Sequence, residues 1–97
     1  MNRKEQIKKM IREVVAKNLP QGGYKLFIFG SQANQPELIK ADIDVGIDTG
    51  FKLAKSIRAK IRLDLEDLPT LYFFDFVDFQ NVEDYFKEVA LTNIEAI

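Results

Sequence analysis

The stretch from Leu26 to Ile47 constrains the fold more than any other part of the chain, because it holds two apolar runs broken by one polar link. The first run ends abruptly at Gly30 and Ser31, and the second begins after ten residues, at Asp42. Four apolar residues followed by a glycine are typical of a strand buried on both faces that ends in a tight turn. The second run alternates acidic and apolar residues, as expected for a strand with one polar face.

The remaining elements follow from periodicity and from helix and strand breakers. The predicted helices are 2–18, with Asn2 and Glu5 as a capping pair, 51–68, and a third that Asn81 begins; the predicted strands are 24–29, 42–48 and 71–79. At most a short helix over 35–40 fits between the first two strands, and Ile94 and Ile97 could add an edge strand or contact a partner. This order predicts one α/β (α+β) domain over 1–97, a small mixed three- to four-stranded sheet flanked by helices.

Composition narrows the chemistry that is available. The 97 residues include no cysteine and no histidine, which excludes disulfides, thiolate nucleophiles and imidazole bases. Catalysis would have to use carboxylates, hydroxyls, amines, backbone amides or a hard metal ion. The net charge of −1 gives no reason to expect direct binding to nucleic acid. Without an apolar run of bilayer length or a signal-peptide core, we expect no membrane partner and a cytoplasmic location.

Asp42 and Asp44 are candidate metal ligands. Alternate residues of a strand point to the same face, so their Cα atoms should lie roughly 6–7 Å apart. Paired carboxylates at this spacing suit Mg²⁺, which keeps its other positions for water and substrate phosphates. The alternative is that both acids form the solvated face of an edge strand, and a lone Asp-x-Asp motif would favour that interpretation.

Gly30 and Ser31 form a candidate phosphate-binding turn. A Gly-Ser turn after a buried strand frees backbone N–H groups and a hydroxyl to bind phosphate oxygens. The alternative is an ordinary turn that ends a strand, which would be the better interpretation if the pair stood alone.

Asp75 is the most informative acid, because it stands among aromatic residues in what the sequence predicts to be an interior strand. A carboxylate buried there needs a cation or takes up a proton. The rival interpretation is an ion pair with Arg58 or Arg62 of the preceding helix. Asp78 should lie on the opposite face, and we expect it to be solvated or to help start the next helix.

Two helix faces carry further expectations. The first helix has a basic outer face that should be solvated, formed by Lys4, Lys8, Lys9 and Arg12. The last helix should bury the stripe Val82, Tyr85, Phe86 and Val89.

Taken together, Gly30-Ser31, the ten-residue gap, the Asp42-Ile43-Asp44 motif and Asp75 on a later strand resemble the nucleotidyltransferase superfamily that includes DNA polymerase β. The resemblance is strongest to its stand-alone minimal members, the MNT or MntA-like proteins, and covers nearly the whole chain. It implies the nucleotidyltransferase fold. It also implies that Gly30 and Ser31 hold the triphosphate and that Asp42, Asp44 and Asp75 converge around Mg²⁺, with Asp42 and Asp44 as its ligands and Asp75 as the third acid of the metal site. Asp75 is further implied to orient and deprotonate the attacking hydroxyl.

The resemblance also implies a function and a partner. Minimal members commonly act as antitoxins of a helical HEPN-domain toxin, and some transfer AMP from ATP to a tyrosine of that toxin. The chain departs from the family pattern at Gln32, where Arg is usual, at Asn34 to Pro36, where a glycine is usual, and at Ala41, where Ser is common. These departures favour an alternative, a catalytically impaired binding module that neutralises its partner by complex formation. A weaker option is a fragment-like relative of aminoglycoside or tRNA nucleotidyltransferases, and a homo-oligomer remains open.

Overall fold

The structure, a computed structural model, describes residues 2–97 and is organised around a mixed sheet. Its helices are α1 (Arg3–Asn18), α2 (Lys55–Glu66) and α3 (Asp84–Ala90), and its strands are β1 (Lys25–Phe29), β2 (Asp42–Asp48), β3 (Phe73–Asp78) and β4 (Ile94–Ala96). No helix within 2–97 combines the length and the apolar character that crossing a membrane requires.

Helix α1 begins after Asn2, as the predicted capping pair of Asn2 and Glu5 indicates. The side chain of Asn2 accepts a hydrogen bond from the backbone N–H of Glu5 at 2.9 Å, which satisfies one of the free amides of the first turn. Ile7, Ile11 and Val15 are buried along one stripe that faces the sheet and α2.

The sheet has the strand order β3-β2-β1-β4. Strand β1 pairs antiparallel with β2 and with β4, whereas β2 and β3 run parallel. Ile94 pairs with Phe29, so the predicted edge strand near the C-terminal end is present. Strand β3 is also an edge strand, and the prediction that it is an interior strand is wrong.

The two faces of the sheet differ as the alternation in β2 predicts. Ile43, Val45 and Ile47 are fully buried on the face that α1 and α2 cover. On the other face, the rings of Phe27 and Phe79 meet edge to face across Gly46, with centroids 4.9 Å apart. A Cβ at position 46 would lie 2.4 Å from the Phe27 ring, so this close approach requires glycine.

Several predicted boundaries are wrong. Helix α2 begins at Lys55 rather than Phe51, and no helix forms over 35–40, where the chain passes from a 3₁₀ turn at Gly30–Gln32 into irregular structure. Helix α3 begins only at Asp84, and the side chain of Glu83 at its N-cap accepts no capping hydrogen bond.

The predicted buried stripe of α3 is also wrong. Tyr85 is 78% exposed and Val89 is 56% exposed, while Phe86 is 41% exposed and keeps a partial contact with the sheet. The apolar area beneath the helix is small: Phe86 contacts the rings of Phe29 and Phe79, and Ala90 packs against the same aromatic cluster.

Candidate functional site

Asp44 and Asp75 are direct register partners in the parallel pair of β2 and β3. Register partners on adjacent strands point to the same face, and adjacent strands lie about 4.7–4.9 Å apart. Asp42 precedes Asp44 by two residues and therefore shares that face. The structure thus brings the three predicted acids to one end of one face of the sheet.

Asp75 is exposed, which corrects the expectation that it is buried among aromatic residues. Phe76 turns into the core on the opposite face, and the outer edge of β3 leaves Asp75 open to solvent. Within residues 2–97 no lysine or arginine forms an ion pair with Asp75. Arg62 instead donates a hydrogen bond to the carbonyl oxygen of Phe76 at 3.1 Å, so the rival arginine interpretation is wrong for this residue.

The charges at this end of the sheet repel one another. Burial raises the pKa of Asp44, and the negative charges of Asp75 and then Asp42 raise it further, while Lys40 opposes them. A raised pKa means that the ionised carboxylate lacks compensating partners in the folded protein. Such a cluster has the electrostatic character of a cation site.

Gly30 is required by the geometry of the turn beside Asp44. Its φ of 75° lies in the left-handed region, which side chains disfavour. A Cβ at position 30 would also lie 2.7 Å from the Oδ2 atom of Asp44. The turn therefore approaches the carboxylate as closely as glycine allows, and the exposed Ser31 follows at the mouth of the site.

These residues surround one cleft of about 440 Å³, a size that suits a small-molecule ligand. Its lining residues are Ser31, Lys40, Asp42, Asp44, Phe73, Phe74 and Asp75. Four of the five predicted site residues line this cleft, and Gly30 lies behind them against Asp44. Sequence reasoning missed Lys40, which no motif in the irregular link distinguishes.

The carboxylates fit Mg²⁺ in kind, because Mg²⁺ prefers hard oxygen ligands. Among residues 2–97, no three or more His, Cys, Asp or Glu side chains are arranged so that they could hold a metal ion by themselves. Mg²⁺ commonly takes one or two carboxylates and completes its shell with water and substrate phosphates. The carboxylates of Asp42 and Asp44 could therefore supply two oxygen ligands to Mg²⁺, with other molecules completing its shell.

Gln32, one of the departures from the family pattern, has a structural role. Its side chain is 1% exposed, and its Nε2 donates to the carbonyl oxygens of Lys40 at 2.7 Å and Asp42 at 2.8 Å. Its Oε1 accepts from the backbone N–H of Ile39 at 2.8 Å. These hydrogen bonds from the Gln32 amide hold the link between the Gly-Ser turn and β2 in place, a role that no local sequence pattern indicates.

Asp78 is buried, which corrects the expectation that it is solvated. It points to the core face, opposite Asp75, as its odd spacing predicts. Its Oδ2 accepts from the backbone N–H of Leu53 at 2.8 Å, and its Oδ1 accepts from that of Gln80 at 3.0 Å. Asp78 therefore fixes the segment that leads into α2.

No family model and no curated protein match this sequence. The fold, however, is similar to that of the MNT antitoxin in the solved structure of the tri-AMPylated Shewanella oneidensis HEPN toxin in complex with MNT antitoxin. The TM-score is 0.71 at 17% sequence identity, and the match covers 95% of this chain and 69% of that chain. At this identity the similarity establishes the fold alone. The chain therefore has the fold of that MNT antitoxin, in agreement with the nucleotidyltransferase fold that the resemblance of its motifs implied.

Proposed function

We propose that this protein is a Mg²⁺-dependent nucleotidyltransferase of the minimal type, which transfers AMP from ATP to a hydroxyl of a HEPN-type partner protein and acts as its antitoxin. The observation that carries the proposal is the register pairing of Asp44 with Asp75, beside a Gly30 turn that only glycine can form. The similar MNT antitoxin was solved with a tri-AMPylated HEPN toxin, which supports both the activity and the partner.

The nucleotide would bind at the mouth of the cleft. The Ser31 hydroxyl and the backbone N–H groups of its turn would bind phosphate oxygens, and Lys40 adds a positive charge on the same wall. Asp42 and Asp44 would hold Mg²⁺, which when bound neutralises phosphate charge and polarises the reacting phosphate.

The exposure of Asp75 suits a proton acceptor that meets a macromolecular substrate. Its carboxylate would take the proton of the attacking hydroxyl, whose oxygen forms a bond to the α-phosphorus of ATP. The bond from that phosphorus to the bridging oxygen breaks, and pyrophosphate leaves with the electron pair. Phe73 lines the same cleft as Asp75 and is 69% exposed, so it would provide apolar area for the acceptor.

Mass spectrometry of the partner tests this proposal. The purified chain is incubated with ATP, Mg²⁺ and a HEPN-type protein sought among the products of the genes next to its own, and the intact partner is weighed. We expect a mass gain of one or more AMP units that requires Mg²⁺ and is lost in Asp44→Asn. A partner that keeps its mass, or gains equally with Asp44→Asn, would refute the proposal.

A second candidate function is a non-catalytic module that neutralises a partner by binding it. The observation that favours it is Gln32, whose amide is fully engaged by Lys40, Asp42 and Ile39 and so cannot contribute to phosphate binding as the usual arginine would. Calorimetry separates the two functions: a stable complex with the partner but no Mg²⁺-dependent binding of ATP would favour the module.

A further inference from the structure

Lys4 of α1 is buried, although the sequence predicts a solvated basic face. Its side chain is 4% exposed, and its Nζ donates to the carbonyl oxygens of Gln32 at 3.1 Å and Gln35 at 2.5 Å. It also donates to Oε1 of Glu95 in β4 at 2.5 Å. Through Lys4, α1 therefore binds the backbone immediately after the Gly-Ser turn.

Glu95 completes this contact from the other end of the chain. Besides the Lys4 ammonium, its Oε1 accepts from the backbone N–H of Asn34 at 2.6 Å, and its Oε2 pairs with Lys8 at 2.6 Å. Burial raises the pKa of Glu95, but the hydrogen bonds from Lys4, Lys8 and Asn34 outweigh it and lower the pKa overall. The carboxylate is therefore held in its charged form against the turn.

Asn93 holds the beginning of the same turn. Its Nδ2 donates to the carbonyl oxygen of Gly30 at 3.1 Å, and its Oδ1 accepts from Nδ2 of Asn34 at 2.8 Å. Asn34 has a φ of 64° and also donates to the carbonyl oxygen of Ile94 at 3.0 Å. Asparagine tolerates this left-handed conformation better than most residues.

These contacts converge on one short backbone segment, residues 30–35, from both ends of the chain. Within residues 2–97 none of the side-chain hydrogen bonds to this segment uses Ser31, which stays exposed at the mouth of the cleft. Besides any stability that its charges contribute, such a network sets the geometry of the backbone segment that it binds.

We infer that Asn93 and Glu95 are positioning residues, which together with Lys4 hold the Gly30-Ser31 turn in the conformation that binds the phosphates of the nucleotide. The inference rests on the proposed function, because it assigns the C-terminal strand a role in nucleotide binding. Misplacement of a binding group by a fraction of an ångström weakens binding without removing the group itself.

The test compares Asn93→Ala, Glu95→Gln and the exposed control Glu13→Gln by calorimetry with Mg²⁺ and ATP, at a temperature where all are folded. We expect the dissociation constant to rise about 10-fold for both network variants and to stay unchanged for Glu13→Gln. In AMP transfer, the KM for ATP should rise while kcat at saturating ATP changes less. Unchanged binding in both network variants would overturn the inference.

Hydrogen exchange gives a readout that does not depend on activity. Amides of residues 30–34 should exchange about 10-fold faster in Asn93→Ala and Glu95→Gln, while those of β2 keep their protection. If the wild type binds no nucleotide, the proposed function fails, and exchange alone decides whether the network positions the turn. Unchanged exchange over 30–34 would overturn the positioning role even if AMP transfer is observed. If Glu95→Gln fails to fold, Asn93→Ala alone still tests the inference.

Discussion

Asp44 and Asp75 lie side by side on β2 and β3, and the pKa of Asp44 is shifted in the opposite direction to that of Asp48, four residues further along the same strand face. Burial and the neighbouring acids raise the pKa of Asp44. Hydrogen bonds from the Gln80 side chain and then the Gly50 backbone lower the pKa of Asp48. Strand β2 therefore carries Asp44 at the cleft, where neighbouring groups disfavour its charge, and Asp48 at its far end, where hydrogen bonds stabilise its charge.

Asp44→Asn should lower AMP transfer roughly 100-fold or more, since it removes a proposed ligand of the Mg²⁺ ion that would stabilise charge on the reacting phosphates. The same substitution should raise the free energy of unfolding measured in urea, because it removes a partly buried charge and relieves its repulsion with Asp75 and Asp42. Asp48→Asn is the matched control, and it should keep activity but lose about 0.5–1.5 kcal/mol of stability for a weakened hydrogen bond. A destabilised Asp44→Asn would contradict the electrostatic account.

Gly30→Ala should destabilise the protein by about 1–3 kcal/mol and abolish nucleotide binding, because the methyl group would press on Asp44. Gly22→Ala is its control, since Gly22 has a similar φ of 69° but no atom within 4 Å of the added Cβ. Urea unfolding and calorimetry of both variants separate backbone strain from the steric contact. Equal nucleotide binding by the two variants would count against the close approach at the site.

The local features of the site could be predicted from the sequence. Strand β2 has its predicted bounds, Asp42–Asp48, because an alternation of period two specifies both the strand and its faces within seven residues. The odd spacing of Asp75 and Asp78 likewise fixed their opposite faces without knowledge of the fold.

Features that depend on distant parts of the chain could not be predicted. An aromatic run such as β3 has the same pattern at an edge as in the interior, so the exposure of Asp75 depends on strand order. Helical periodicity places Lys4 and Lys8 on a polar face but cannot indicate that Glu95 lies against them. The short apolar platform beneath α3, which leaves Tyr85 exposed, also arises only from packing.

Gln32→Met should destabilise the protein by roughly 1–3 kcal/mol, because it leaves buried carbonyl oxygens of Lys40 and Asp42 without their donor. The side chain is similar in size, so the loss reports hydrogen bonding rather than volume. Gln35→Met serves as the control, since Gln35 is exposed and its backbone carbonyl meets Lys4. Urea unfolding measures the stability of both variants, and a Gln32→Met variant as stable as Gln35→Met would contradict the structural role of Gln32.

Phe86→Leu and Tyr85→Leu test the packing of α3. Phe86 contacts Phe29 and Phe79 with ring centroids 6.1 and 6.0 Å away, whereas Tyr85 is 78% exposed. The Phe86 variant should lose about 0.5–1.5 kcal/mol, the range for an aromatic pair, and the Tyr85 variant should stay close to the wild type. A larger loss for Tyr85→Leu in urea unfolding would indicate that the helix buries a different face.

Glu95→Gln should change how stability depends on pH. The folded pKa of Glu95 is below its ordinary value of 4.5, so the folded state binds fewer protons at this site than the unfolded state. The stability that its charge contributes is therefore fully present above 4.5 and is lost as the pH falls through the lower, folded pKa. The difference in free energy of unfolding between wild type and Glu95→Gln should be constant near neutral pH and shrink in acid.

Urea unfolding at a series of pH values measures this difference, with Glu13→Gln as the reference for the loss of a carboxylate. A difference that persists unchanged well below 4.5 would show that Glu95 acts through packing and not through its charge on Lys4 and Lys8.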